Sequence, residues 1–99
     1  MKTCLILGRK GNIVQEISEQ IDTTNLKVLM GTSKEEVQDA FLSNTIDTVI
    51  MGAGIDLDTR LDIIRYVFEH SNSTTVHMKD WDSGPAGMLP FVTHILSTY

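Results

Sequence analysis

Residues 46–60, which read IDTVIMGAGIDLDTR, constrain the fold of this chain more than any other stretch. They begin as a short apolar run rich in β-branched residues, which is typical of a buried strand. A Gly-Ala-Gly loop at 52–54 follows, and a charged turn then opens a helical pattern. Backbone can approach a ligand closely at such a loop, and the next helix offers unpaired N–H groups. We therefore interpret this stretch as a strand, a ligand-facing loop and a helix.

The rest of the chain repeats the same order of strand and helix. Apolar or β-branched runs at 4–7, 26–30 and 74–78 predict three more strands. Helical spacing predicts helices that start near Asn12, Ser33, Asp58 or Thr59, and Pro90, and Ser33 with Glu36 forms a capping-box pattern. This alternation predicts one domain over residues 1–99, a three-layer α/β/α fold of the (βα)4 type with a four-stranded parallel sheet. Strands one and three are the most apolar, which favours the order 2-1-3-4 with strands two and four at the edges.

Composition excludes several classes of function. The formal charge is −5 and the cations are not clustered, which argues against nucleic-acid binding through phosphate neutralisation. No apolar run is long enough for a membrane span or a signal peptide. The one cysteine, Cys4, rules out an internal disulfide and suits a reducing cytoplasm. His70, His77 and His94 lack the spacing of metal ligands, so we expect a cytoplasmic protein with no metal site.

The predicted sheet order gives a place for a ligand. In open α/β sheets, ligands bind beyond the carboxyl ends of the strands at the point where the winding reverses, here between strands one and three. The candidate ligand-binding residues in the facing and flanking loops are Gly8, Arg9, Lys10, Gly11, Asn12, Gly52, Gly54, Asp56 and Ser83. Two adjacent cations and free backbone donors favour a small phosphorylated or carboxylated compound. The alternatives are a solvated turn at 8–11 and an Asp56 that only helps to start a helix.

Ionisable side chains are also concentrated at the end of the fourth strand. His77 and Lys79 share one side of the strand by alternation, and Asp80 follows. One interpretation makes Lys79 and Asp80 an acid, a base or a charge clamp over the cleft, with His77 one step deeper. The other makes them protective charges on an edge strand. Whether the chain catalyses a reaction stays open at this point.

The first half of the chain resembles Rossmann-type nucleotide domains. Gly8-x-x-Gly11 is similar to a shortened glycine loop, and the strand followed by Gly-Ala-Gly at 52–54 resembles the equivalent strand of atypical short-chain reductases. The resemblance implies an NAD(P) site with these glycines near the pyrophosphate and Arg9 near a phosphate. The chain departs from the pattern because the full G-x-G-x-x-G is absent and Gly31, not an acidic residue, ends strand two.

A different class of function is also open. A short chain gains burial by pairing with a second copy, and two fourth strands could pair across a two-fold axis. Trp81, in a loop rich in glycine and proline, is a candidate interface anchor. The alternative prediction is therefore a non-catalytic, homo-oligomeric interaction protein, a homodimer for example, with a vestigial cleft.

Overall fold

Four parallel strands form the sheet at the centre of the molecule. In the computed structural model they are β1 (Lys2–Leu7), β2 (Leu26–Gly31), β3 (Thr48–Met51) and β4 (Thr75–Met78). Their order is β2-β1-β3-β4, which confirms the order predicted from apolarity. The four residues of β3 and the last four of β1 are buried, whereas β2 and β4 are only partly covered. The two central strands, β1 and β3, are thus the ones that are buried on both faces.

Three helices accompany the sheet: α1 (Lys34–Ser43), α2 (Leu57–His70) and α3 (Met88–Leu96). The structure describes residues 2–8, 19, 26–52, 54–79 and 87–97. The helix predicted to start near Asn12 therefore lies outside the described residues except for Glu19, which is helical. Within the described ranges, no helix has the length and apolarity needed to cross a bilayer.

The core has two halves, one on each face of the sheet. Alternate residues of β1 point in opposite directions, so that Leu5 and Leu7 join one cluster and Cys4 and Ile6 join the other. The first cluster contains buried residues of α1 and α2, and the second contains those of α3. Helices on both faces give the three layers expected from the alternating pattern.

The helix starts were predicted with mixed success. Ser33 is the N-cap of α1, and its hydroxyl accepts a hydrogen bond from the Glu36 N–H at 3.3 Å. The prediction that Asp58 or Thr59 caps α2 is wrong, because Asp56 is the N-cap. Its carboxylate accepts from the Thr59 N–H at 3.2 Å and from the Thr59 hydroxyl at 2.7 Å. The helix begins at Leu57, whose side chain is exposed.

Candidate functional site

The winding of the sheet reverses between β1 and β3, and a glycine follows each of these strands. The Gly52 N–H donates to the Leu7 carbonyl at 2.8 Å, and the Gly8 N–H donates to the Gly31 carbonyl at 3.1 Å. Both N–H groups therefore continue the hydrogen bonding of the sheet. Because glycine has no side chain, only backbone atoms of Gly8 and Gly52 are present where β1 and β3 end.

Gly52 also allows α3 to come close to the sheet. A Cβ atom at this position would lie 3.3 Å from the Leu7 carbonyl oxygen and 3.3 Å from Cε of Met88. Contacts of that length require the neighbours to move, and a backbone carbonyl moves less readily than a methionine methyl group. The glycine predicted as a ligand-facing residue is thus a packing residue as well.

Arg60 fixes the loop that follows β3. Its side chain is 9% exposed, and its guanidinium donates to the carbonyls of Ile55 at 2.8 Å, Gly52 at 2.8 Å and Lys79 at 3.0 Å. One planar fork thereby joins both ends of the 52–55 loop to the end of β4. In the sequence, Arg60 lies in the charged turn that opens a helical pattern. The structure gives Arg60 a positioning role, in which the guanidinium holds Gly52 and Ile55 of the loop after β3.

Two of the three candidate catalytic residues are described, and both lie on the α3 side of β4. His77 is in register with Ile50, which packs in the α3 cluster, and alternation puts Lys79 on the same side. Lys79 is only 1% exposed, and its N–H donates to the Met51 carbonyl at 2.8 Å. Among the described residues, Nε2 of His77 is buried with no hydrogen-bond partner. The Lys79 side chain is therefore inside the fold, whereas His77 is half-buried with its Nε2 covered.

The amino termini of two helices at this edge are already occupied by carboxylates of the chain itself. Glu36 accepts from the N–H and hydroxyl of Thr32 at the start of α1, at 3.2 and 2.8 Å. Asp56, fully exposed, caps α2, and the hydrogen bond from the Thr59 hydroxyl lowers the pKa of Asp56 from 3.8. A bound anion would be repelled at these two positions.

The remaining candidates divide between exposed and undescribed positions. Gly54 is exposed on the loop after β3. Six candidate residues lie outside the described residues: Arg9, Lys10, Gly11, Asn12, Asp80 and Ser83.

The cap at Asp56 leads to a prediction about pH. The pKa of Asp56 is lower in the folded state than in the unfolded state, whose value is 3.8. The carboxylate therefore makes its full contribution to stability above pH 3.8. This contribution is lost as the pH falls through the pKa of the folded state. We expect Asp56→Ala to lower the melting temperature by a few degrees at neutral pH, with the gap to wild type closing only in acid below 3.8. Thermal unfolding across pH 2 to 7 measures the gap. Asp58→Ala is the control, since Asp58 lies in the first turn without being the cap; a gap that stayed constant into strong acid would contradict the prediction.

The described part of the chain offers neither a cluster of metal ligands nor a reactive cysteine. There, no group of three or more histidine, cysteine, aspartate or glutamate side chains is placed to hold a metal ion. Cys4 is fully buried, and burial raises the pKa of its thiol to about 12, so the nucleophilic thiolate is scarce at neutral pH. We interpret Cys4 as a small core residue.

Comparisons with protein-family models, with curated proteins and with solved structures found no match. A functional proposal for this chain therefore depends on the geometry of this edge of the sheet.

Proposed function

We propose that the chain binds a small anionic compound, phosphorylated or carboxylated, at the carboxyl ends of β1 and β3. The observation that supports this most is the reversal of winding between the two central strands, each followed by a glycine. Open α/β sheets bind ligands at such a crevice. The absence of a side chain at Gly8 lets a ligand approach the backbone there. At Gly52 the corresponding space is taken by Met88.

Charge supports an anionic ligand over a neutral or cationic one. The protein is acidic overall, yet Arg60 and Lys79 are buried beside this crevice, and the sequence puts Arg9 and Lys10 in the loop after β1. A buried cation is stabilised by a nearby anion, and low dielectric strengthens the attraction. Lys79 is the side chain we expect to respond most to the ligand, whereas Arg60 acts through the loop that it holds.

The nature of the ligand and of any reaction is a further part of the proposal. Resemblance to Rossmann-type nucleotide domains makes nucleotides, NAD(P) included, the first ligands to test. If a reaction follows binding, Lys79 and His77, with Asp80 from the sequence, are the candidates for proton transfer. The single, buried Cys4 supports a reducing, cytoplasmic setting.

Thermal-shift measurements with a panel of ligands test the proposal. The panel is inorganic phosphate, mononucleotides, NAD(P), sugar phosphates and dicarboxylates. A ligand present at 100 times its Kd stabilises the fold by about 2.7 kcal/mol, which raises the Tm of a chain of this size by roughly 10 °C or more. Backbone amide NMR should place the largest shift changes at Gly8, Gly54 and Ile55. If no anion in the panel moves the Tm or these amides, the proposal fails.

Matched substitutions distinguish binding at the proposed site from attraction by the net charge. We expect Lys79→Met, which keeps an apolar stem, and Arg9→Ala to reduce the ligand-induced shift by at least half while the free proteins stay folded. Lys2→Ala is the control, because Lys2 is exposed at the opposite end of β1 and carries the same charge. An equal loss of response in Lys2→Ala would indicate attraction by net charge alone and would contradict a site at the strand ends.

A further inference from the structure

Helix α2 exposes a continuous stripe of large apolar side chains. Leu57, Leu61, Ile64 and Phe68 recur at helical spacing and therefore lie along one side of the helix. Leu57 is 67% exposed, Leu61 54% and Phe68 58%, and Ile64 is half-buried. The stripe is separate from the side of α2 that faces the sheet, where Ile63 and Val67 are buried.

The stripe faces the β4 edge of the sheet. Tyr66 projects about half a turn round α2 from the stripe and packs edge-on against Phe41 of α1, with ring centroids 5.9 Å apart. Helix α1 contacts α2 and also β2, at the opposite edge of the sheet from β4. Because α1 covers the flank of α2 on the β2 side, the stripe is on the flank towards β4.

Strand β4 adds to the same apolar surface. Met78 is in register with Met51, which packs in the α1 and α2 cluster, so Met78 lies on the α2 side of the sheet. It is 46% exposed. No strand among the described residues pairs with the outer edge of β4. We call the surface formed by Leu57, Leu61, Ile64, Phe68 and Met78, together with this strand edge, the α2–β4 surface.

We propose that the α2–β4 surface is the interface of a homodimer, in which a second copy of this chain continues the sheet. A two-fold axis perpendicular to the sheet at its β4 edge makes the two β4 strands antiparallel neighbours. The same axis keeps both α2 helices on one face of the joined sheet and runs them antiparallel. One symmetry operation thus satisfies the open strand edge and covers both apolar stripes.

The spacing of the stripe suits this symmetry. The point midway between Leu61 and Ile64 is also midway between Leu57 and Phe68. In an antiparallel pair of α2 helices, Leu61 of one protomer therefore meets Ile64 of its partner, while Leu57 meets Phe68. The surface is complementary to itself, as an isologous dimer interface must be.

Charges beside the stripe agree with the same arrangement. Asp58, Asp62 and Arg65 are exposed on the solvent side of α2. With Leu61 opposite Ile64, Arg65 of one protomer is opposite position 60 of the other, between Asp58 and Asp62. Each dimer would then have two symmetric sets of opposite charges at the rim.

The exposed area is consistent with a dimer of standard type. With on the order of 200 Å² for a free large side chain, the exposed fractions of Leu57, Leu61, Phe68 and Met78 give roughly 450 Å² per copy. That is within the usual size of the largest apolar patch on a protein surface, a patch that is often functional. A standard interface takes about 800 Å² from each partner, and the β4 backbone edge and the charged rim supply the remainder.

Light scattering with size exclusion and sedimentation over a concentration series test the dimer. We expect the wild-type chain to be dimeric and Leu61→Glu to be monomeric, with a dimer Kd raised at least about 100-fold, because each dimer would bury two carboxylates in the stripe. Leu42→Glu is the matched control: Leu42 is 80% exposed, but it lies on α1, away from the interface. This variant should remain dimeric.

The same measurements can overturn the dimer. Circular dichroism verifies that both variants are folded, which is expected because both side chains are exposed. A wild-type chain that is monomeric at about 1 mM, a dimer that survives Leu61→Glu, or a dimer that Leu42→Glu breaks each overturns the inference. Hydrogen exchange in β4 should slow as the dimer forms, and a dimer without this protection would overturn the strand pairing. None of the five side chains of the α2–β4 surface is a candidate ligand-binding residue, so a Leu61→Glu monomer should still respond to the ligand panel.

Discussion

Arg60→Ala is expected to lower the free energy of unfolding by about 3–5 kcal/mol, a large share of the stability of a small domain. The substitution removes three hydrogen bonds from a charged donor and leaves the carbonyls of Gly52, Ile55 and Lys79 to find new partners. Each buried acceptor left unsatisfied costs roughly 1–3 kcal/mol. Urea unfolding followed by circular dichroism measures the loss.

Two further substitutions show whether geometry or charge is responsible. Arg60→Lys keeps the charge, but an ammonium group cannot reach three carbonyls in different directions, so we expect at least half of the loss to remain. Arg65→Ala removes an exposed arginine from the same helix and should change stability by less than about 0.5 kcal/mol. A loss below about 1 kcal/mol for Arg60→Ala would contradict the positioning role.

The same variants separate a scaffold from a ligand clamp. A guanidinium whose main role is to bind an anion can be removed with little loss of stability and a large loss of affinity. If Arg60 instead holds the 52–55 loop, stability falls in the absence of any ligand. The three hydrogen bonds to backbone carbonyls favour the second result.

The sheet was predictable because its signals are local. Buried strands of a parallel sheet are continuous apolar runs, and the degree of apolarity ranks the strands from centre to edge. The runs at Leu5 and Val49 therefore indicated the central pair, and the weaker pattern around Val76 indicated an edge. Capping chemistry likewise identified Ser33, since cap and partner are three residues apart.

The side-chain roles were less predictable because they depend on distant contacts. Helical periodicity groups Leu61 and Phe68 with Ile63 and Val67 as one broad apolar face, but the sheet covers only part of it. Nothing local distinguishes an arginine that binds backbone carbonyls from one in a solvated first turn. A buried nitrogen with no hydrogen-bond partner in the described part of the chain, as at His77, is visible only after the strands are assembled.

The sequence also leaves two explanations for Gly52. A glycine after a buried strand can let a ligand approach the backbone, or it can let another element of the fold pack closely. The contact that distinguishes them is with Met88, which is distant in the sequence. The sequence alone predicted the order of the strands and therefore the point where the winding reverses, and the structure supplies the packing around that point.

Gly52→Ala is expected to cost about 1–3 kcal/mol, and Gly52→Val more, because the added carbons meet the Leu7 carbonyl oxygen and Cε of Met88 at 3.3 Å. Gly31→Ala is the comparison. Its Cβ would meet Cδ2 of Leu7 at 3.1 Å and Cβ of Glu36 at 3.3 Å, with no backbone atom among its nearest neighbours, so we expect a smaller loss. Chemical unfolding of the variants gives the free energies.

A double-mutant cycle with Met88→Ala then assigns the cause of the Gly52 effect. Met88→Ala alone should cost about 2–5 kcal/mol, because it leaves a cavity in the α3 half of the core. If the new methyl group at position 52 occupies part of that cavity, the double variant should lose about 0.5–2 kcal/mol less than the two single losses combined. The coupling stays incomplete, since the Leu7 carbonyl remains close. Strict additivity, or a Gly52→Ala protein that is fully stable but no longer responds to ligand, would instead make Gly52 a residue of the crevice floor.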